Sequence, residues 1–176
     1  MPCPHNEISI VQRSQQQSAV AAAAYQSGEK LFCEYDQQVK HYPEKRGLVH
    51  NEILLPPNAP QEYADRNTLW NAAEAVEKQW NSQLARRCVL TIPREIPPDQ
   101  YAVLVREFCQ KQFVSKGMIA DFAIHGIICK CGQKNTRQLR QWFFLLHMRW
   151  FWNDGAGIIV SLLTFRFLTG KQSSRG

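Results

Sequence analysis

The segment SAVAAAAYQSGEKL, residues 18–31, contains five alanines and one aromatic side chain, Tyr25. Alanine is the strongest helix former and leaves the surface of a helix almost bare. With Ser18 as its N-cap, the segment predicts a helix that runs to about Gly28. Such a bare surface indicates either that another element packs very close to the helix or that a bulky ligand reaches the Tyr25 hydroxyl.

Short β-rich segments and longer periodic segments alternate along the chain up to residue 125. The predicted strands cover residues 7–12, 47–56, 88–93 and 118–125. The predicted helices are 65–81, with an apolar face of Leu69, Ala73, Val76 and Trp80, and 97–113, with a face of Tyr101, Leu104, Val105 and Phe108. Residues 33–47 are predicted to form a polar loop. This order favours an α+β or α/β domain with helices against a sheet, and it leaves the strand pairing open.

The positive charge is concentrated in the last 51 residues of the chain. Residues 1–125 contain 13 Lys or Arg and 14 Asp or Glu, whereas residues 126–176 contain 8 basic residues and one acid, Asp154. A block of like charge is more often a solvated segment than a binding groove. The overall net charge of +6 therefore does not by itself indicate nucleic-acid binding.

Residues 126–176 also contain three of the five tryptophans. Two β-rich segments, 142–152 and 158–168, flank the turn-forming Asn153-Asp154-Gly155 and predict a hairpin. Polar residues interrupt the apolar runs, so we expect no membrane span.

The beginning of the chain shows no basic segment followed by an apolar stretch, so no secretory signal is predicted. We therefore expect a cytoplasmic protein whose cysteines stay reduced and form no disulfide framework. The six cysteines are Cys3, Cys33, Cys88, Cys109, Cys129 and Cys131.

Four segments resemble, in order and spacing, the start of a MobA/MobL-type plasmid relaxase across roughly residues 7–125. They read SAVAAAAYQSGEKL, EKRGLVHNEILLPPNAP, YADRNTLWNAAEAVEKQWNSQLARR and FVSKGMIADFAIH. The resemblance implies an α+β fold with an antiparallel central sheet flanked by helices, of the His-hydrophobic-His endonuclease type. It also implies an enzyme of conjugation that nicks one DNA strand at an origin of transfer. Residues 1–125 would form the relaxase-like domain, and residues 126–176 a divergent basic, aromatic-rich tail, truncated or altered relative to the family.

The resemblance also implies roles for two residues. Tyr25 stands at the family's nucleophile, which attacks the scissile phosphate and leaves a 5′-phosphotyrosyl link and a free 3′-hydroxyl. His125 stands at the first of three histidines that hold a divalent metal, Mg²⁺ or Mn²⁺, over that phosphate. The implied partners are single-stranded DNA at the origin and accessory mobilisation proteins. Without the resemblance, Tyr25 would be read as a helix-end tyrosine packing on the sheet and His125 as a polar strand end.

The paired histidines of the family's metal site are missing here. No His-x-His occurs in the sequence, and when LLHMRWFWNDGAG (145–157) is aligned with the family's next strand, Gln141 and Phe143 stand at those positions. Phe143 has no lone pair, and Gln141 offers only a weakly binding amide oxygen. His147 falls where the family has no ligand. Cys129 and Cys131 are more typical of two reduced thiols than of a metal site.

A second departure concerns the carboxylates that orient metal histidines. Arg87-Cys88-Val89 stands where the family usually has acidic residues before the LTIP segment, and such supporting groups commonly affect metal affinity. Both losses predict weak metal binding and impaired nicking. The alternatives are a DNA-binding remnant that no longer cleaves, and a structural or aggregating by-product with an exposed aromatic tail.

Overall fold

The computed structural model describes residues 6–43, 47–93, 95–126 and 158–166. Five strands form one antiparallel sheet in the spatial order β1-β5-β7-β6-β4, and two short strands, β2 and β3, form a separate hairpin. The strands are β1 Asn6–Gln12, β2 Leu31–Cys33, β3 Gln38–Lys40, β4 Leu48–Leu54, β5 Gln83–Ile92, β6 Met118–Gly126 and β7 Ile158–Arg166. The antiparallel sheet implied by the resemblance is therefore confirmed.

Three α-helices flank this sheet: α1 Ala19–Ser27, α2 Arg66–Val76 and α3 Tyr101–Gln112. Single 3-10 turns occupy Arg13–Gln15, Gln61–Ala64, Pro98–Gln100 and Val114–Lys116. Within the described ranges, no helix combines the length and the apolar character needed to cross a bilayer.

The helices are divided between the two faces of the sheet, because successive side chains of a strand point to opposite sides. On one face, α1 and α2 pack against Ile119 and Leu163. On the other face, α3 packs against Phe122, Ile124 and Leu162. We call these the α1/α2 face and the α3 face.

Local sequence accounts for both ends of α1. The Ser18 side chain accepts a hydrogen bond from the Ala21 amide at 3.1 Å, as an N-cap does. Gly28 adopts the left-handed conformation with φ of 73°, and its amide donates to the Ala24 carbonyl at 2.9 Å. The buried side of its first two turns is made of small residues, Ala19, Val20, Ala23 and Ala24. The bare surface read from the sequence is thus packed closely within the domain.

Strand β7 comes from the part of the chain beyond residue 125. It lies between β5 and β6, where Leu163 is opposite both Arg87 and Asp121. The sheet therefore contains strands from both sides of residue 125. The first arm of the predicted hairpin, 142–152, lies outside the described residues, so the hairpin stays a prediction.

Three other expectations need correction. The predicted loop 33–47 contains β3, which pairs with β2. The helix predicted for 65–81 ends at Val76, and Val76 and Trp80 are 65% and 74% exposed, respectively. In α3, Leu104 and Phe108 are exposed, while Tyr101, Val105 and Cys109 form the buried line. In α2 the misses lie at and beyond the end of the helix. In α3 the exposed apolar residues stand directly beside buried ones, so periodicity alone did not identify the buried line.

Candidate active site

Tyr25 lies in the last turn of α1 and is partly buried. Its ring meets the ring of Tyr42 edge to face, with the centroids 5.4 Å apart and the planes at 85°. Edge-to-face contact is a favoured geometry for aromatic pairs and restricts the orientation of both rings.

His125 lies near the end of β6, opposite Leu48 of β4 and Ile159 of β7. It is partly buried. Because residues two apart on a strand share a face, His125 is on the same face as Asp121. The Asp121 side chain contacts α2, as described next, so this is the α1/α2 face. The structure thus places Tyr25 and His125 on the same side of the sheet, and their chemical roles stay predictions.

The centre of this face holds a buried ion pair. Asp121 is fully buried, and its Oδ2 and Oδ1 atoms accept hydrogen bonds from Arg66 Nε at 2.9 Å and Nη2 at 3.0 Å. Trp70 Nε1 donates to Oδ2 at 2.9 Å. Burial raises the pKa of Asp121, and the Arg66 guanidinium opposes that change. The two-pronged contact from Arg66 and the indole hydrogen bond satisfy a carboxylate that would otherwise be costly to bury.

Gln26, the neighbour of Tyr25, connects α1 to the two central strands. Its Nε2 donates to the backbone carbonyl of Asp121 at 2.8 Å and lies 3.5 Å from Oδ1 of the same residue. Its Oε1 accepts a hydrogen bond from the Ser161 hydroxyl at 3.1 Å. Gln26 is 2% exposed, so these contacts are shielded from water.

Glu29 extends the connection beyond the end of α1. Its carboxylate forms an ion pair with Nη1 of Arg66 and accepts a longer hydrogen bond, 3.4 Å, from Asn51 of β4. Arg66 therefore contacts both Asp121 and Glu29. We call Gln26, Glu29, Arg66 and Asp121 the anchor cluster.

Comparison with known proteins places this arrangement in a family. The family model described as MobA/MobL family matches residues 17–157, a range that includes Tyr25 and His125 and extends past residue 125. The chain belongs to the MobA/MobL family.

Similar proteins carry names from conjugal transfer and mobilization. Over 135 residues, the chain is 38% identical to "Conjugal transfer protein TraA" of Agrobacterium fabrum, covering 71% of this chain and 12% of that protein. It is 31% identical over 121 residues to "Mobilization protein MobL" of Acidithiobacillus ferridurans, covering 69% of this chain and 31% of that protein. This MobA/MobL chain therefore spans only a small part of the length of these relatives.

A solved structure shares the fold. The structure described as "Molecular Basis of Vancomycin Resistance Transfer in Staphylococcus aureus" superposes with a TM-score of 0.73 at 29% identity. The match covers 95% of this MobA/MobL chain and 72% of that one.

The described residues do not supply a complete metal site. Among them, no group of three or more His, Cys, Asp or Glu side chains is placed to hold an ion. The other residues considered from the sequence, Gln141, Phe143, His147, Cys129 and Cys131, lie outside the described ranges. The described part of this MobA/MobL chain does not fit a three-imidazole metal, so no chemical step is assigned to a metal here.

The opposite end of α1 is held by a second carboxylate, Glu74 of α2. Its Oε1 accepts hydrogen bonds from the Ser18 hydroxyl at 2.7 Å and the Val20 amide at 3.1 Å. The Cys33 thiol lies 3.8 Å from Oε2. A carboxylate at a helix N-terminus is stabilised by the partial positive charge there. Helix α1 is therefore held by carboxylates near both ends.

Sequence reasoning missed the anchor cluster and Glu74. One signal was available, because Asp121 interrupts the apolar segment IADFAI at a position predicted to be buried. A charged residue at such a position must be paired. Its partners could not be named, because Arg66 and Gln26 are 55 and 95 residues away along the chain.

Proposed function

We propose that this chain is a DNA relaxase domain of plasmid conjugation or mobilisation, which binds single-stranded DNA at an origin of transfer. The observation that carries the proposal is the position of Tyr25 on a helix held over the sheet face that also presents His125. Membership of the MobA/MobL family and the transfer proteins among the relatives support it. We place this activity in the cytoplasm, with accessory mobilisation proteins as further partners.

In the proposed reaction, the Tyr25 phenol oxygen attacks the phosphorus of one DNA phosphodiester. A bond forms between that oxygen and phosphorus, and the bond from phosphorus to the 3′ oxygen breaks. The phenol loses its proton, and the 3′ oxygen gains one to leave as a hydroxyl. Because the new tyrosyl link is also a phosphodiester, the strand can be resealed without ATP.

We further propose that nicking is impaired in this chain. Attack on an anionic phosphate requires fixed positive charge near the oxygens where negative charge accumulates. The family implies three imidazoles at this point, and the sequence retains His125 with Gln141 and Phe143 in place of the others. A tyrosine hydroxyl is a weak nucleophile unless an adjacent base or a metal activates it, so an unassisted Tyr25 is a poor nucleophile.

Incubation with a single-stranded oligonucleotide that carries the origin tests both parts of the proposal. We expect binding that weakens as salt increases, equal in wild type and Tyr25→Phe, with little or no covalent product. A protease-sensitive 5′ adduct that disappears in Tyr25→Phe would show a working nickase and contradict the impairment. Absence of salt-sensitive binding would refute the DNA-binding role and favour the structural by-product.

A non-catalytic DNA-binding protein is the second candidate. It is favoured by the missing histidines together with the 8 basic residues and one acid of residues 126–176. Salt-sensitive binding with no adduct under any divalent metal would support this candidate over an impaired enzyme.

Weak metal binding is a related prediction. We expect calorimetry with Mn²⁺ to show at most weak binding, because one imidazole and neutral groups hold a divalent ion poorly. Tight one-to-one binding that is lost in His125→Ala would contradict this prediction. Cys129, Cys131 and His147 would then be the next residues to replace.

A further inference from the structure

We propose that Gln26 is a positioning residue, which sets the rotation of α1 and thereby the placement of Tyr25 relative to His125, with the rest of the anchor cluster as its support. The inference rests on the proposed role of Tyr25 as the nucleophile. It concerns Gln26, Glu29, Arg66 and Asp121, whose contacts are all within the described residues.

The first step is that strand β6 carries both Asp121, which Gln26 contacts, and His125. Asp121 and His125 are four residues apart on β6 and share a face, a separation of roughly 13 Å along the strand. Gln26 donates to the backbone carbonyl of Asp121 at 2.8 Å, so the helix is joined to the main chain of that strand. Tyr25 is adjacent to Gln26 in the chain. The hydrogen bond of Gln26 therefore fixes the position of Tyr25 relative to β6, the strand that carries His125.

The second step is that the apolar contacts of α1 restrain its rotation weakly. The buried residues of its first two turns are Ala19, Val20, Ala23 and Ala24. Alanine methyl groups are small and alike, so they interlock little with the side chains of the sheet. Apolar packing of this kind loses a unique arrangement before it loses stability. Directional hydrogen bonds are therefore needed to restrain the rotation of α1.

The third step is that Gln26 makes such bonds in two directions. Its amide reaches β6 through Asp121 and β7 through Ser161, at 2.8 and 3.1 Å, respectively. A shift of the helix by one residue turns a side chain by about 100°, which would break both bonds. Beyond Gly28, the ion pair of Glu29 with Arg66 fixes the chain again, three residues after Gln26.

The matched pair of variants is Gln26→Met and Ser27→Ala. Methionine keeps the length of glutamine without its amide. Ser27 is the next buried polar residue of α1 and is 2% exposed. Its hydroxyl donates to the Ala23 carbonyl of the same helix at 2.9 Å and accepts a hydrogen bond from the Glu29 amide at 3.2 Å. Ser27→Ala therefore removes two local hydrogen bonds of a buried hydroxyl without removing a contact to the sheet.

Fluorine NMR of the full chain labelled with 3-fluorotyrosine reads the placement directly. The chain has five tyrosines, and loss of a line in Tyr25→Phe assigns Tyr25. We expect Gln26→Met to shift or split the Tyr25 line by more than its linewidth. The line of Tyr101, which is buried on the α3 face, should stay in place. Ser27→Ala should leave the Tyr25 line unchanged.

An unchanged Tyr25 line in folded Gln26→Met would overturn the proposal, as would an equal change in Ser27→Ala. If Gln26→Met fails to fold, Ser161→Ala decides, since it removes the other partner of the Gln26 amide. It should shift the Tyr25 line in the same direction by a smaller amount, and no shift would refute the inference.

Salt-dependent binding of a single-stranded oligonucleotide to the wild type separates this inference from the proposed function. A Tyr25 line that responds to Gln26→Met in a chain without DNA binding would refute the proposed function and support the positioning role. Normal DNA binding with an unresponsive Tyr25 line would refute the positioning role alone.

Discussion

The two faces of the sheet are built by different physical means. The α1/α2 face buries the ion pair of Asp121 and Arg66, together with Gln26 and Glu74. Among the described residues, no charged side chain is buried against α3. The ion pair on the α3 face, Arg106 with Glu52, is partly open to solvent, with side chains 45% and 26% exposed, respectively.

The two kinds of contact contribute differently to the free energy of folding and to the orientation of the packed elements. Apolar packing on the α3 face supplies free energy in proportion to buried area and has little directional preference. A buried ion pair contributes little net stability, because desolvation offsets the attraction, but its hydrogen bonds require one arrangement. We infer that the face carrying Tyr25 and His125 uses charged and polar contacts because it requires a defined geometry.

The largest expected effect is that of Asp121→Ala. It leaves the Arg66 guanidinium buried without its main partner, and breaking such a pair typically costs about 3–5 kcal/mol of unfolding free energy. Chemical denaturation measures this loss. A loss below about 1 kcal/mol would show that water readily replaces the carboxylate, and the contrast between the faces would fail.

Two control variants sharpen that experiment. Asp121→Leu combined with Arg66→Met should recover much of the stability, because no buried charge is left unpaired, while the Tyr25 resonance stays altered. Leu162→Ala on the α3 face should cost a comparable amount, about 2–5 kcal/mol, yet leave the Tyr25 resonance in place. Equal disturbance of Tyr25 by both changes would remove the distinction between stability and orientation.

An exposed carboxylate at the start of α2, the helix that carries Arg66, should contribute less to the free energy of unfolding. Asp65 is the N-cap of α2, and its Oδ2 accepts hydrogen bonds from the Thr68 amide and hydroxyl at 2.7 Å each. Asp65→Ala should cost about 1 kcal/mol. Asp65→Asn should cost less, because asparagine is also a good N-cap.

The Asp65 contribution should also depend on pH. The hydrogen bonds from Thr68 hold the pKa of Asp65 below its usual range. The contribution is therefore fully present above the ordinary pKa of an aspartate and is lost as the pH falls through the lower folded value. Denaturation curves of wild type and Asp65→Ala should converge in acid. A difference that persists unchanged at low pH would exclude the carboxylate as its source.

Much of the candidate site could be predicted because its signals are local or shared with a family. The Ser18 cap and the Gly28 stop depend on residues a few positions away, and both are present. Tyr25 and His125 were selected by resemblance, and the structure places them on one side of the sheet. The assignment of Val76 and Trp80 to the core is wrong, because α2 ends at Val76 and Trp80 lies beyond it.

The sequence by itself determined the elements whose signals are local, namely the alanine helix and strands β1, β4 and β6. Four segments in order determined the family. Only the tertiary structure decided that β7 lies between β5 and β6 and that Gln26, Arg66 and Asp121 meet. The physical reason is that hydrogen bonds and ion pairs act over a few ångströms in space. Residues far apart in the chain become partners only when the sheet brings them together, and a single sequence does not record that distance.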